Sequence, residues 1–403
     1  MEEESQSPHL STRCHCSPRN HVGCFAVCRL SAPAPPPPLP PLLARAQLSA
    51  VPQTAEMSMF KRFFKGIIRD RDDEDDDRDT AQKHKPKPYH GTVVPYPNFS
   101  ASHDASVLNS AIESKGVDED VIIAVLVRRT NEQRQKIKAV YEASAGTRLV
   151  RDLESALRSD LEDITLALLM TPAQFDAYLI RKATKRLGTD EDVLVEVLAS
   201  RTNQEIRDLK RAFKEEYDTD LESVIRDETK GDFTEALLAM LRADKDEITH
   251  VNMAQAKKDA ETLFEAGEHP QGINVSTFID ILTKRSGPQL SKTFQMYASA
   301  SDVSLPKALG MELRGDIEDC LIDIVKCAWN KSAFFAEKLH KAMKGYGTCE
   351  DTLIRVLVSR SEVDLKKIVE EYRAMYDISL QEDILHDTKG HYQKVLLGLC
   401  GPH

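Results

Sequence analysis

The sequence predicts an all-α protein built from four copies of one helical unit. One sequence motif recurs four times: a Gly-containing loop, an apolar helical run, and an Arg followed by a hydroxyl residue. The aligned Arg residues are spaced by 72, 84 and 75 residues, which suits about five short helices per unit. The sequence shows no alternation of apolar and polar residues of the kind that indicates a strand. The copies are residues 115–130, 186–202, 271–286 and 346–361, with Arg129, Arg201, Arg285 and Arg360 at the aligned position.

The composition is that of a core-forming protein and argues against some classes of partner and site. The chain is 41% hydrophobic and its net charge is −11, which excludes nucleic-acid binding by general basic attraction. The sequence contains no run of 18 or more apolar residues, so it predicts no helix that crosses a bilayer. The eight cysteines lack the CxxC spacing of zinc sites, so we expect free thiols in an intracellular, reduced protein, with Cys320 and Cys327 buried.

The first 98 residues differ from the rest of the chain. Residues 1–58 are Pro-rich without helical periodicity, which predicts a disordered extension. Residues 59–69 have the pattern of a short basic amphipathic helix, which either packs on the protein's own core or docks on a partner or membrane. The acidic run 70–79 and the segment to Pro97 are predicted to form a solvated linker, so that helix and linker together occupy 59–98. The apolar positions of the helix include Phe60, Phe63, Phe64 and Ile67.

From about Phe99 to the end the pattern is helical. In each copy the hydroxyl residue after the Arg is predicted to open a helix, and the residue three positions later to close a capping box. These pairs are Thr130 with Gln133, Thr202 with Glu205, Ser286 with Gln289, and Ser361 with Asp364. The predicted units are 99–170, 171–253 with a linker, 254–330, and 331–403.

The Gly loops are candidate cation sites. In the fourth unit Gly345 and Gly347 bracket Tyr346, and two glycines this close allow several carbonyl oxygens to turn toward one point. Calcium accepts six to eight such oxygens and tolerates irregular geometry. A useful site also needs a carboxylate, and Asp387 stands 40 residues after Gly347.

The same offset recurs in the other units. It finds Glu228 in the second unit and Glu312 in the third, but Ala156 in the first, so three units keep an acid. A carboxylate at a constant distance favours metal binding. The alternative is that the glycines are helix C-caps and the acids are N-caps of the following helix.

The four units, the GxGT loop with a downstream DTKGD-like acid, and the Arg–hydroxyl motif resemble the annexin family over about residues 99–403. With its Phe-rich N-terminal helix, the layout is most similar to lipocortin-type annexins. The resemblance implies a curved disc of four five-helix domains that binds Ca²⁺ in loops on its convex face and acidic phospholipids through that calcium. It also implies a cytoplasmic protein that becomes peripheral on membranes when calcium rises.

The resemblance further implies which residues bind each ion. The main-chain ligands and the carboxylate would be Met343, Gly345, Gly347 and Asp387 in the fourth unit, Gly267, Pro270, Gly272 and Glu312 in the third, and Thr184, Arg186, Gly188 and Glu228 in the second. The first unit would keep a weaker site from Gly116, Val117 and Glu119. Arg186 stands where the family usually has Gly, which strains the second loop and adds a positive charge. Leu187 and Tyr346 would touch lipid headgroups or, alternatively, pack locally.

The chain is therefore predicted to be a non-enzymatic, calcium-dependent binder of acidic phospholipid membranes. Its N-terminal helix would allow membrane bridging or aggregation, and the resemblance suggests an EF-hand dimer as the partner of that helix. The alternative is a calcium-independent helical-repeat scaffold for protein partners. The sequence contains no GxSxG, HExxH or GxxxxGK[ST] motif that would indicate an enzyme.

Overall fold

The computed structural model describes residues 88–185, 188–267, 272–345 and 347–401. These residues belong to one compact unit, Ala81–His403. The predicted disordered extension and the predicted amphipathic helix, with Phe60, Phe63, Phe64 and Ile67, lie outside the described residues. None of the helices described is long and apolar enough to cross a bilayer.

The described residues form twenty helices and no strands, five helices for each sequence repeat, which confirms the predicted fold class. The first repeat holds α1 (Ala101–Glu113), α2 (Glu119–Leu126), α3 (Asn131–Ala145), α4 (Leu149–Ala156) and α5 (Ser159–Leu169). The second holds α6 (Pro172–Thr184), α7 (Glu191–Ser200), α8 (Asn203–Tyr217), α9 (Leu221–Glu228) and α10 (Gly231–Leu241).

The third and fourth repeats have the same order. The third holds α11 (Met253–Gly267), α12 (Val275–Lys284), α13 (Gly287–Ala300), α14 (Leu305–Glu312) and α15 (Asp316–Trp329). The fourth holds α16 (Lys331–Met343), α17 (Glu350–Arg360), α18 (Leu365–Tyr376), α19 (Leu380–Asp387) and α20 (Gly390–Cys400). In every repeat the first and third helices pack against each other.

Two of the four predicted capping boxes are present in full. Thr130 and Thr202 each accept from the main-chain N–H three residues on, and the side chains of Gln133 and Glu205 return to the cap. Ser286 accepts from the Gln289 N–H at 3.4 Å, but the Gln289 amide pairs with the main chain of Asn252 instead. The third helix of the third repeat thus has the hydrogen bond from the Gln289 N–H to the Ser286 side chain, but lacks the return bond from the Gln289 side chain to the main chain of Ser286.

The fourth predicted box is wrong, and the aligned arginine explains why. In the first three repeats this arginine pairs with an aspartate of the repeat's first helix, as Arg129 does with Asp104 at 2.6 Å. The other two pairs are Arg201 with Asp176 and Arg285 with Asp259. The fourth repeat has Phe335 at that place, and the Arg360 guanidinium lies over its ring, 4.8 Å from the centroid. Arg360 therefore pairs with Asp364 at 2.7 Å, and Asp364 forms no cap.

Part of the segment before α1 is packed against the folded repeats, so the predicted solvated linker is wrong for residues 90–93, whereas residues 94–97 are exposed. The N–H groups of Thr92 and Val93 both donate to the Ser361 carbonyl, at 2.8 and 3.1 Å. The Lys366 N–H in turn donates to His90, and Val93 is buried. Residues 90–93 therefore satisfy the backbone of the α17–α18 junction where the capping box fails.

The hydrophobic core is continuous between repeats. The first repeat packs on the fourth through α2 and α5 against α17 and α20, and the second on the third through α7 and α10 against α12 and α15. Cys320 and Cys327 are buried free thiols, as predicted. Burial raises the pKa of the Cys327 thiol, which keeps it protonated and unreactive.

Candidate metal and membrane site

Each repeat carries a glycine loop between its first and second helices, and the described residues of the four loops share two features. The last glycine of the loop has a left-handed backbone in all four cases, with φ between 84° and 98°, which disfavours any residue with a side chain. A Cβ built on any of the four would have no heavy atom within 4 Å, so the requirement is conformational and not steric. These glycines are Gly116, Gly188, Gly272 and Gly347.

One main-chain hydrogen bond closes every loop. The N–H two residues after the glycine donates to a carbonyl in the last turn of the preceding helix, as Cys349 does to Ala342 at 2.8 Å. The others are Asp118 to Ala111 at 3.0 Å, Asp190 to Ala183 at 3.0 Å, and Asn274 to Ala266 at 2.9 Å. The predicted ligands Met343, Thr184 and Gly267 each follow the bonded carbonyl and end their helices, where carbonyls lack intrahelical partners.

The fourth loop has free carbonyl oxygens at two of the predicted ligands. Gly345 also has a positive φ, of 125°, and no described residue donates a hydrogen bond to the carbonyl of Gly345 or Gly347. In the first repeat the equivalent of Gly345 is Ser114, whose hydroxyl donates to the Gly116 carbonyl at 2.7 Å. The first loop thus satisfies internally an oxygen that the fourth leaves available.

The three candidate carboxylates lie at the ends of helices. Glu228, Glu312 and Asp387 are the last residues of α9, α14 and α19, and Ala156 ends α4 in the same way. The alternative in which these acids cap the N-terminus of the next helix is therefore wrong. A carboxylate at a helix C-terminus faces the negative end of the dipole, which costs about 0.3–1 kcal/mol without a neighbouring cation.

Direct contacts join the loop to the end of the fourth helix in two repeats. The Thr348 hydroxyl donates to the Asp387 carboxylate at 2.6 Å, and the Thr189 hydroxyl donates to the Glu228 main-chain carbonyl at 3.2 Å. Asp387 is half-buried, whereas Glu228 and Glu312 are exposed. The structure thus brings the carboxylate of the fourth repeat directly to its glycine loop, as the predicted site requires.

Acidic side chains surround the second and fourth loops. Partial burial, with Asp316 of the neighbouring repeat, raises the pKa of Glu191 at the start of α7. Partial burial, with Asp160 of the first repeat, likewise raises the pKa of Glu350 at the start of α17. The second helices of these two repeats therefore begin among several carboxylates beside the loop.

Some predicted residues remain without a structural account. Pro270, Arg186, Leu187 and Tyr346 lie outside the described residues. In the first repeat, Val117 is half-buried beside Gly116, and Glu119 opens α2. Within the ranges described, no three side chains of His, Cys, Asp or Glu cluster around a point suited to a metal. The predicted sites instead combine one carboxylate with main-chain oxygens, which suit calcium.

Sequence reasoning missed the contribution of the threonine after the last glycine. The GT pair is visible at Gly188 and Gly347, but nothing in the sequence says that one hydroxyl reaches a carboxylate and the other a carbonyl. Sequence reasoning also missed Ser114, whose hydroxyl donates to the Gly116 carbonyl.

Comparison with known proteins agrees with this arrangement. The annexin family model matches residues 103–168, 175–240, 258–324 and 334–399, more than half of the chain. The chain is 50% identical to Annexin A1 of Homo sapiens over 345 residues, covering 86% of this chain and 99% of that protein.

Solved structures show the same architecture. Annexin III superimposes with a TM-score of 0.76 at 42% identity, covering 78% of this chain and 98% of that chain. Calcium-bound annexin (Sm)1 superimposes with a TM-score of 0.71 at 29% identity, covering 78% of this chain and 94% of that chain. Four matched repeats and half-identical relatives along most of the sequence establish that this chain belongs to the annexin family.

Proposed function

We propose that this protein binds acidic phospholipid membranes in a calcium-dependent manner. The observation that carries the proposal is the meeting of Asp387 with the loop that presents the Gly345 and Gly347 carbonyls. A related annexin of similar fold has been solved with calcium bound. The donor set fits a hard cation that prefers oxygen ligands, because it combines neutral carbonyls with one carboxylate.

Each site would take three main-chain oxygens and a carboxylate. Met343, Gly345, Gly347 and Asp387 form the fourth site. The third would use Gly267, Pro270, Gly272 and Glu312, and the second Thr184, Arg186, Gly188 and Glu228. Such a set supplies about five oxygens of the six to eight that calcium accepts, which leaves positions for water or a lipid phosphate. The first site, from Gly116, Val117 and Glu119, would be the weakest, since Ser114 already occupies one carbonyl.

Electrostatics makes binding conditional on the cation. The chain has a net charge of −11, and the carboxylates around Glu191 and Glu350 add local negative charge beside two of the loops. An anionic lipid surface repels such loops. Bound calcium reverses the local sign and links the loops to headgroup phosphates. Several weak sites on one molecule then act together, so that membrane binding is steep in calcium concentration.

The N-terminal segment would extend this activity to a second surface. Phe60, Phe63, Phe64 and Ile67 give residues 59–69 one apolar face with Lys and Arg on the other. Such a helix suits a second membrane or the groove of an EF-hand dimer. The protein would then bridge two membranes, and would act in the cytoplasm as a peripheral membrane protein.

The competing proposal is a calcium-independent helical-repeat scaffold for protein partners. Co-sedimentation with phosphatidylserine vesicles across a calcium titration separates the two proposals. We expect pelleting only with calcium, and a higher calcium midpoint for Asp387→Ala, Glu312→Ala and Glu228→Ala. Glu215→Ala, which removes an exposed acid from α8, is the matched control and should behave as the wild type. Absence of pelleting in millimolar calcium would favour the scaffold.

A further inference from the structure

The four loops differ in the residue that follows their last glycine. It is threonine in the second and fourth repeats, at Thr189 and Thr348, and an aliphatic residue in the first and third, at Val117 and Ile273. Only the two threonines can donate a hydrogen bond from this position. The described parts of the four loops therefore share a positive-φ glycine and a closing main-chain hydrogen bond, but the loops differ in the side chain that can reach the end of the fourth helix.

The two threonines make different contacts. Thr348 Oγ1 lies 2.6 Å from Asp387 Oδ2 and 3.2 Å from the Asp387 main-chain oxygen. Thr189 Oγ1 lies 3.2 Å from the Glu228 main-chain oxygen, so it holds the end of α9 but not the carboxylate. Among the described residues, Asp387 is the one candidate carboxylate tied to its own loop by a side chain.

We infer that Thr348 is a positioning residue that sets the Asp387 carboxylate beside the loop carbonyls, and that the fourth loop consequently binds calcium more tightly than it would without this hydroxyl. This inference rests on the proposed function. A hydroxyl bonded to a carboxylate makes a charge-assisted hydrogen bond, which fixes the side chain before the ion arrives. The rotamer freedom that Glu228 and Glu312 must lose on binding is already lost at Asp387.

The hydrogen bond leaves the carboxylate able to bind a cation. A carboxylate has about four lone-pair positions on its two oxygens, and Thr348 uses one of them. The second oxygen, Oδ1, takes no part in the bond to Thr348. Asp387 also has a shorter side chain than Glu228 and Glu312, so its reach is more restricted.

The test compares Thr348→Val with Thr348→Ser in the full chain, using calcium-dependent pelleting on phosphatidylserine vesicles. Valine keeps the shape of threonine without the hydroxyl, and we expect the calcium midpoint to rise about three- to tenfold. Serine keeps the hydroxyl and should restore the wild-type midpoint. Thr189→Val is the matched control and should shift the midpoint less, because its hydroxyl does not contact a carboxylate.

A second measurement distinguishes positioning from general loop damage. In an Asp387→Ala background, adding Thr348→Val should change the midpoint no further, since the group that Thr348 positions is gone. A shift that is undiminished in that background would overturn the inference, as would an unchanged midpoint for Thr348→Val alone. If the wild type itself fails to pellet with calcium, the proposed function is the part that fails.

Discussion

The guanidinium of Arg355 and the carboxylate of Glu196 form a bidentate ion pair between the fourth and second repeats, with both N–O distances at 2.9 Å. Arg355 lies on α17 and Glu196 on α7, and both side chains are almost completely buried. Two charges removed from water in this way are stable only together. The pair therefore specifies how these two repeats meet.

Breaking this pair should destabilise the protein strongly. We expect Glu196→Ala to lower the free energy of unfolding by about 3–5 kcal/mol, because it leaves the Arg355 charge buried without a partner. Urea unfolding followed by circular dichroism measures the loss. Glu132→Ala is the control, since its pair with Lys136 is exposed to solvent and should contribute little to stability. Equal losses for the two variants would contradict the structural importance of the buried pair.

A carboxylate placed at the end of α4 should make the first repeat sensitive to calcium. Ala156 ends its helix as Glu228, Glu312 and Asp387 end theirs. We expect Ala156→Glu, combined with Ser114→Gly to release the Gly116 carbonyl, to lower the calcium midpoint for vesicle binding. Without calcium the new charge should cost about 0.3–1 kcal/mol of stability at the helix C-terminus. Ala156→Gln with the same glycine is the uncharged control, and identical calcium midpoints for the Glu and Gln variants would refute the prediction.

Acidification should weaken the fourth repeat through His340. This ring stacks on Tyr376 with centroids 3.8 Å apart, and its Nδ1 lies 3.2 Å from the Tyr372 hydroxyl. Burial lowers the pKa of His340 below 6.5, although the Asp383 carboxylate acts in the opposite direction and Lys344 adds to the lowering. The folded protein therefore takes up this proton only at a lower pH than the unfolded chain does.

The sign of the pH dependence follows from that difference. As pH falls through about 6.5, the unfolded chain binds more protons, so the free energy of unfolding decreases. We expect His340→Gln to reduce the loss of stability between pH 7.5 and 5.5, measured by urea unfolding at each pH. The exposed His103→Gln serves as the control and should leave the loss as in the wild type. A wild-type loss that persists in His340→Gln would contradict this assignment.

The segment before α1 should contribute measurably to stability through Thr92. Its hydroxyl donates to the Leu399 carbonyl at 2.5 Å and lies 3.2 Å from that of Ser361. We expect Thr92→Val to lower the free energy of unfolding by about 1 kcal/mol, because these half-buried carbonyls lose a donor. Thr262→Val is the control, since that hydroxyl bonds within its own helix and is exposed. Thermal unfolding without calcium compares the two variants, and equal melting temperatures would contradict the prediction.

Local signals in the sequence predicted most of the helical architecture. Repeated Arg–hydroxyl motifs located the start of the third helix in the first three repeats, whereas Ser361 is the C-cap of α17 and the third helix of the fourth repeat begins at Leu365. The boxes at Thr130 and Thr202 formed because both partners lie within one turn. Two further boxes, Thr171 with Gln174 and Ser379 with Glu382, have the same sequence signature but follow no arginine, so the search by repeat overlooked them.

The features that sequence reasoning missed depend on contacts between distant segments. Asp364 resembled a capping residue, but Phe335, 29 positions earlier, removes the usual partner of Arg360 and redirects it to Asp364. The packing of residues 90–93 on Ser361 joins segments about 270 residues apart, which no local pattern reports. At the candidate site the spacing points to Asp387, whereas the hydrogen bond between its carboxylate and Thr348 depends on how the loop folds.

The hydrogen bond from Thr92 to Leu399 also places the segment before the first repeat next to the last helix of the fourth repeat. Thr92 lies beside the end of the last helix, so the first and the last of the described residues are close in space. A short peptide could therefore join these two positions, and new ends could be opened elsewhere, without stretching the backbone. Dyes attached at the two positions would form a close pair, and separation of that pair would signal detachment of the first repeat from the fourth.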